Sequence, residues 1–195
     1  MTNTKYNHFL TIALLNSIHP LSKSLNKYVS STLVFNHYKK GEYIVKKGGF
    51  CDRIFIIRKG LVRGYFTHDD KEITTWVSID NELVTSISGY FKKEPAVESI
   101  QCLEDTFTES LSYDNMHFAF HNFKEMNDLY RILMEHYYLH AEYRAFMARI
   151  PSTKDRYNYF LKITNPEIVK RLPKKYLASL LNMRPETLSR LKLEK

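Results

Sequence analysis

Three textures of apolar and polar positions follow one another along the chain. Between residues 6 and 36, apolar side chains recur at helical spacing: Phe9, Ile12, Ala13 and Leu15, then Leu21, Leu25, Tyr28 and Val29. Pro20 divides them, which predicts two short helices. From about 37 to 112 the texture changes. EYIV, RIFIIR, LVRGYFT, EITTWVSI, ESIQCL and TFTESLS are short runs rich in β-branched and aromatic residues. Gly48-Gly49, Lys59-Gly60 and Asp69-Asp70 are turn signals between them. Strands of this length and spacing predict a small antiparallel barrel or jelly roll.

The third texture begins at Asp114. No Gly or Pro occurs from there to Ile150, and Leu129, Ile132, His136, Leu139, Tyr143, Phe146 and Ile150 fall at alternating steps of three and four. That is the a/d stripe of a long helix. A helix of this length after a compact barrel is expected to find its partner in a second copy of the chain. Pro151 ends it, because proline lacks the amide hydrogen and biases the preceding residue away from helical angles. The expected fold class is therefore α+β. A β jelly-roll sensor spans residues 1–113, a long dimerisation helix 114–150, and a small helical domain 151–195.

That last domain closes on LPKKYLASLLNMRPETLSRLKLEK, residues 172–195. Pro173 suits a helix start, and Tyr176, Leu177, Leu180 and Leu181 form a buried face. Ala178 allows a close crossing. Asn182 tolerates left-handed angles at a tight turn, and Pro185 begins a second helix with Leu188 and Leu191 directed inward. Glu186, Thr187, Ser189 and Arg190 remain outward. The pattern is that of a helix-turn-helix without an evident wing, since little chain follows Leu191. Its second helix carries side chains able to read base edges. Arg184, Lys174, Lys175 and Lys192 are placed to meet phosphates.

Charge strengthens this reading. Residues 1–150 carry a net +1, and residues 151–195 a net +7 of the chain's total +8. A basic block favours a polyanion through counterion release. Hydrophobic residues make up 44% of the chain, enough for a substantial core. No apolar run is long enough to span a membrane, and the start lacks the charged-then-apolar pattern of a secretory signal. A cytoplasmic protein is expected. Cys51 and Cys102 form no CxxC pair, and two thiols do not make an iron–sulfur site.

The stretch KGEYIVKKGGFCDRIFIIRKGLVRGY, with Gly41, Gly48 and Gly60 at its turns, resembles the start of a cyclic-nucleotide-binding-type barrel. With the long helix and PETLSR at 185–190, the whole chain resembles a CRP/FNR-family transcriptional regulator. Trp76 and LEDT at 103–106 resemble the Bacteroidetes-type members. The resemblance implies a homodimer that binds DNA, answers an effector through its barrel and contacts RNA polymerase. It implies base and backbone contacts by Glu186, Ser189 and Arg190. The crowded bends where that family keeps glycine correspond to Gly41, Gly48 and Gly60.

Two departures stand out. Arg184 replaces the Ser or Thr expected as helix N-cap. Asn81-Glu82-Leu83 keeps the family's Glu, but Pro95 to Ser99 holds no Arg for a cyclic phosphate, and Glu98 would repel one. Weak or absent cyclic AMP binding is expected, with Glu82, Lys92 and Lys93 as the effector-site candidates and the effector unidentified. An enzyme is not expected. A cupin-type barrel enzyme would need about three converging His or carboxylate ligands. His37, His68, Asp69, Asp70 and Glu72 offer no His-x-His pair. A sensor dimer that has lost DNA binding is the other alternative.

Overall fold

The computed structural model describes residues 9–193, with side chains from 10 to 191. Two helices, α1 (Phe9–Ile18) and α2 (Lys23–Thr32), precede the strands. Then come β1 (Val34–Tyr38), β2 (Tyr43–Val45), β3 (Arg53–Lys59), β4 (Leu61–His68), β5 (Lys71–Ile79) and β6 (Leu83–Val84). A short helix α3 (Ile87–Lys92) leads to β7 (Ser99–Cys102) and β8 (Thr106–Ser112). The chain continues through α4 (Tyr113–Asn122), α5 (Lys124–Arg149), α6 (Thr153–Ile163), α7 (Pro166–Arg171), α8 (Lys174–Leu180) and α9 (Pro185–Leu193).

The strands form two antiparallel sheets, β1-β8-β3-β6 and β2-β7-β4-β5. The period-2 alternation of β3 shows how they pack. Phe55 and Ile57 point between the sheets, where they meet Val62, Val84 and Ile100. Ile54 points to the other side, against α1, α2, α4 and α5. The outer face of the first sheet is thus also apolar at Ile54 and Leu111, and helices cover it there.

The turns follow from local chemistry. Asp69 and Asp70 have φ of 47° and 58° and join the paired residues His68 and Lys71, the two-residue turn whose twist suits a hairpin. Gly60 has φ of +139°, and a Cβ there would lie 2.5 Å from Thr106 Oγ1. Gly41 and Gly48 differ from expectation. Both have positive φ, but a Cβ would meet nothing within 4 Å, so backbone angle and not crowding calls for glycine.

Three further expectations are corrected. The helical texture does not run to residue 36, because Val34 to Tyr38 pair with β8 as an edge strand. The long helix expected from 114 to 150 is two helices. Phe123 breaks it with an extended backbone, φ −135° and ψ 110°, and its ring packs beside Tyr28 at 5.6 Å. Burying that ring against α2 outweighs the helical preference of an uninterrupted stretch. Pro173 is the cap residue before α8 and not part of its first turn.

The terminal helices share a core with the barrel. Leu177, Ala178, Leu181 and Leu188 pack with Phe160 and Ile168, and also with Leu61, Ile79 and Leu103 of the strands. Pro151 is therefore a change of chain direction and not a boundary between separate cores.

Candidate functional site

The two terminal helices are joined by a turn that the sequence builds directly. Asn182 has φ of 47°. The Met183 amide donates to the Ala178 carbonyl at 3.0 Å, and the Asn182 amide to that of Ser179 at 3.0 Å. This pair of bonds is the Schellman closure of a helix C-terminus. Arg156 locks the turn from beneath. Its buried guanidinium donates to the carbonyls of Leu181 at 2.7 Å and Asn182 at 3.1 Å, and to that of Ile150 at 3.0 Å. One side chain thereby ties the end of α5 to the loop between α8 and α9.

Leu188 fixes the roll of α9 because it is fully buried. That leaves Glu186 and Arg190 exposed, with Thr187 and Ser189 half-buried beside them. Arg184 is exposed, and its carbonyl accepts the Leu188 amide at 3.2 Å. That is the ordinary first bond of a helix, and Arg184 has no side-chain acceptor with which to cap the free amides of the first turn. Lys174 and Lys175 are exposed at the start of α8, with Lys175 Nζ 4.6 Å from the Tyr176 ring centre. Lys192 belongs to α9, but its side chain lies outside the described residues.

The opposite side of α8 is attached to the barrel. Ser179 Oγ accepts the Thr74 amide at 2.9 Å. The buried Arg63 guanidinium lies between the rings of Tyr65 and Tyr176, 4.1 and 3.9 Å from their centres, and is held by Glu72 and Gln101. Arg171 binds Asp80 at 2.5 Å and Glu104 at 2.6 Å, which holds its guanidinium charged even more firmly than usual. Sequence reading missed Arg63, Arg156 and Arg171. The signal lay in the LEDT stretch, because Glu104 receives Arg171 and Asp105 caps the Lys40 amide at 2.9 Å.

The stripe predicted for pairing divides along α5. Leu129 is buried in the chain's own core, and Ile132 is half-buried. His136, Leu139, Tyr143 and Phe146 are exposed, and Ile150 is half-buried at the end. Leu129 is therefore a correction: it packs inward because α1 and α2 cover that end of α5.

The effector candidates are not brought together. Lys92 and Lys93 are exposed at the end of α3, with Lys93 Nζ 4.4 Å from the Tyr113 ring centre. Neither lines a cavity with Glu82. Glu82 accepts the Ile79 amide at 3.3 Å and lines a cavity of about 320 Å³ with His136, Tyr137, His140 and Arg144. Burial raises its pKa, as it does for Glu98, whose carboxylate accepts Trp76 Nε1 at 3.0 Å. The indole itself covers Gly64, where a Cβ would come within 2.0 Å of the ring. Burial also depresses the pKa of Arg144, against the opposing pull of Glu98 and Glu82.

His37 stacks on Phe107 at 4.3 Å, while His68 lies at the exposed tip of the β4–β5 hairpin. Among the described residues no group of three or more His, Cys, Asp or Glu side chains could hold a metal ion. Cys51 and Cys102 are buried and free, and burial pushes the Cys102 thiol up to about 11. No described helix is long and apolar enough to cross a membrane.

A barrel of this topology, with a short helix between β6 and β7, has known counterparts. Residues 35–121 match the cyclic nucleotide-binding domain family. The likeness in fold extends beyond that segment on both sides. FixK2 from Bradyrhizobium japonicum is similar at 16% identity and a TM-score of 0.69, covering 83% of each chain. A CRP/FNR-family putative transcriptional regulator from Eubacterium rectale has 17% identity and a TM-score of 0.67, covering 97% of this chain and 86% of its own. The catabolite activator protein of Thermus thermophilus has 18% identity and a TM-score of 0.56, over 93% and 85%. At these identities the likeness establishes the fold: a cyclic nucleotide-binding-type barrel followed by helices, as in CRP/FNR-type regulators. None of the curated proteins matches this sequence.

Proposed function

We propose that the chain is a homodimeric, sequence-specific DNA-binding transcriptional regulator whose barrel responds to an effector other than cyclic AMP. The observation that carries this reading is α9. It is held by the buried Leu188, joined to α8 by a closed turn, and presents Glu186 and Arg190 to solvent within a segment of net charge +7. We read α8 and α9 as a helix-turn-helix, with α9 entering the major groove. Arg190 and Glu186 then reach base edges, and Thr187 and Ser189 support them. Arg184, Lys174 and Lys175 meet phosphates. Two copies pair through Leu139, Tyr143 and Phe146 of α5, and their two α9 helices enter successive grooves about 34 Å apart on a near-palindromic site.

The attachment of α8 to β5 supports a coupling route. A change in the barrel that moves β4 or β5 moves Arg63, Thr74 and Asp80, and with them the orientation of α8 and α9. The effector then shifts a population of orientations by its differential affinity for them. Glu98 at the cavity and the lack of an Arg between Pro95 and Ser99 argue against a cyclic phosphate there.

The deciding experiment is a gel shift on an operator selected from random duplexes. Arg190→Ala weakens specific binding by about 1–3 kcal/mol and relaxes one base preference. Lys175→Ala weakens all duplexes alike and lowers the salt slope by about one unit. If both variants bind as the parent chain does, the assigned roles are wrong. Tight cyclic AMP binding in a calorimetric titration would overturn the effector reading.

A further inference from the structure

A second cavity, of about 180 Å³, lies between the outer face of the first sheet and the helices. Val29 of α2, Ile56 of β3, Leu111 of β8 and Leu129 and Leu133 of α5 make its wall apolar. Its polar groups come from Ser78 and Thr85, and from Glu98, Tyr137 and Arg144. Tyr137 is already committed: its hydroxyl bonds the Leu83 carbonyl and accepts the Leu83 amide at 2.8 Å. Glu98 uses one carboxylate oxygen on Trp76 Nε1. Arg144 is different. Its side chain is half-buried, and among the described residues no hydrogen bond or ion pair engages it, although Glu98 and Glu82 influence it through space. A guanidinium so placed stays charged, and its donors need acceptors.

We propose that this cavity binds an uncharged, mainly apolar small molecule carrying an amide head, whose carbonyl accepts from Arg144 and whose N–H donates to Glu98. The claim names the effector class of the regulator reading and rests on it. Hydrogen-bond accounting selects the head. An ammonium has no acceptor for Arg144. A carboxylate has no donor for Glu98 and sets a second acidic group beside it. An amide satisfies both partners. Size selects the body: a dry apolar cavity of about 150 Å³ takes benzene, so one ring with a short arm fits here.

Three probes share a benzyl body and differ in the charge and hydrogen-bonding groups of the head: phenylacetamide, phenylacetate and phenethylammonium. Methionines labelled at the methyl group report position, because Met116, Met126 and Met134 line this cavity while Met147 lines the other. Phenylacetamide is expected to shift the first three methyls and to bind at least about tenfold more tightly than either charged probe. Arg144→Gln, checked for native methyl dispersion, is expected to abolish that preference. The proposal fails if no probe binds, if a charged probe binds best, if only Met147 responds, or if Arg144→Gln keeps the preference. The spectra need no DNA. A failure here leaves the gel shift untouched, and a failed gel shift leaves the cavity's ligand standing without its regulatory role.

Discussion

The two halves of α5 make opposite uses of one amphipathic helix. In the first half both neighbouring stripes are consumed: Met126, Leu129 and Leu133 are buried against α1, α2 and the first sheet. In the second half only one side is covered, by Tyr137, Arg144 and the buried Met147. The other side leaves Tyr138, Leu139, Tyr143 and Phe146 at 74%, 43%, 37% and 54% exposure. Four large side chains exposed on one helical segment exceed the scattered apolar residues of an ordinary surface. The difference teaches that a heptad stripe does not state its partner. What decides is whether other elements of the same chain reach that end of the helix.

Substitutions break the comparison in order of size. Leu129→Ala removes side-chain volume from a fully packed place and is expected to destabilise the fold by about 2–5 kcal/mol in urea unfolding. A cost below about 1 kcal/mol would mean that the first half is no more committed than the second. Phe146→Asp is expected to weaken self-association by about a hundredfold in sedimentation equilibrium, with helicity at high dilution unchanged. A chain that self-associates normally with Asp there would remove the second half from the pairing surface.

The smallest effect concerns the covered side of the second half. Burial raises the pKa of Glu82 above 4.5, so the folded state holds a proton that the unfolded state has lost. Stability from this group is present at low pH and declines as pH rises from the unfolded value through the folded one. Glu82→Gln is expected to flatten that decline as pH rises above the unfolded value and to leave stability unchanged below it. An unchanged slope would show that Glu82 is solvated and that the inner side of this half is not dry.

Much of the barrel was legible from local chemistry. The runs from EYIV to TFTESLS became β2, β3, β4, β5, β7 and β8, and the turn dipeptides fell at or between strand ends. β1 was not legible, because nothing in SSTLVFNHY separates the end of α2 from an edge strand except the partner β8. β6 and α3 are too short to carry a period. On α5 the inward stripe through Met126, Tyr130, Leu133, Tyr137, His140, Arg144 and Met147 has the same spacing as the outward one. It was hidden because polar residues occupy its second half.

The terminal pair of helices was written in the sequence almost residue by residue: Asn182 at the left-handed turn, Pro185 at the start of α9, Leu188 inward, and Glu186 and Arg190 outward. Alternation, turn residues and charge act over a few positions, so they determine strands, bends and the basic end without knowledge of the fold. The tertiary structure alone decided which partners the buried arginines take. Arg63 between two tyrosines, Arg156 on the turn carbonyls and Arg171 across to Asp80 and Glu104 join residues from distant parts of the chain. It also separated Lys92 and Lys93 from Glu82 and left Arg144 facing an apolar cavity. A charge declares its sign in a sequence, but what balances it depends on which segments pack together.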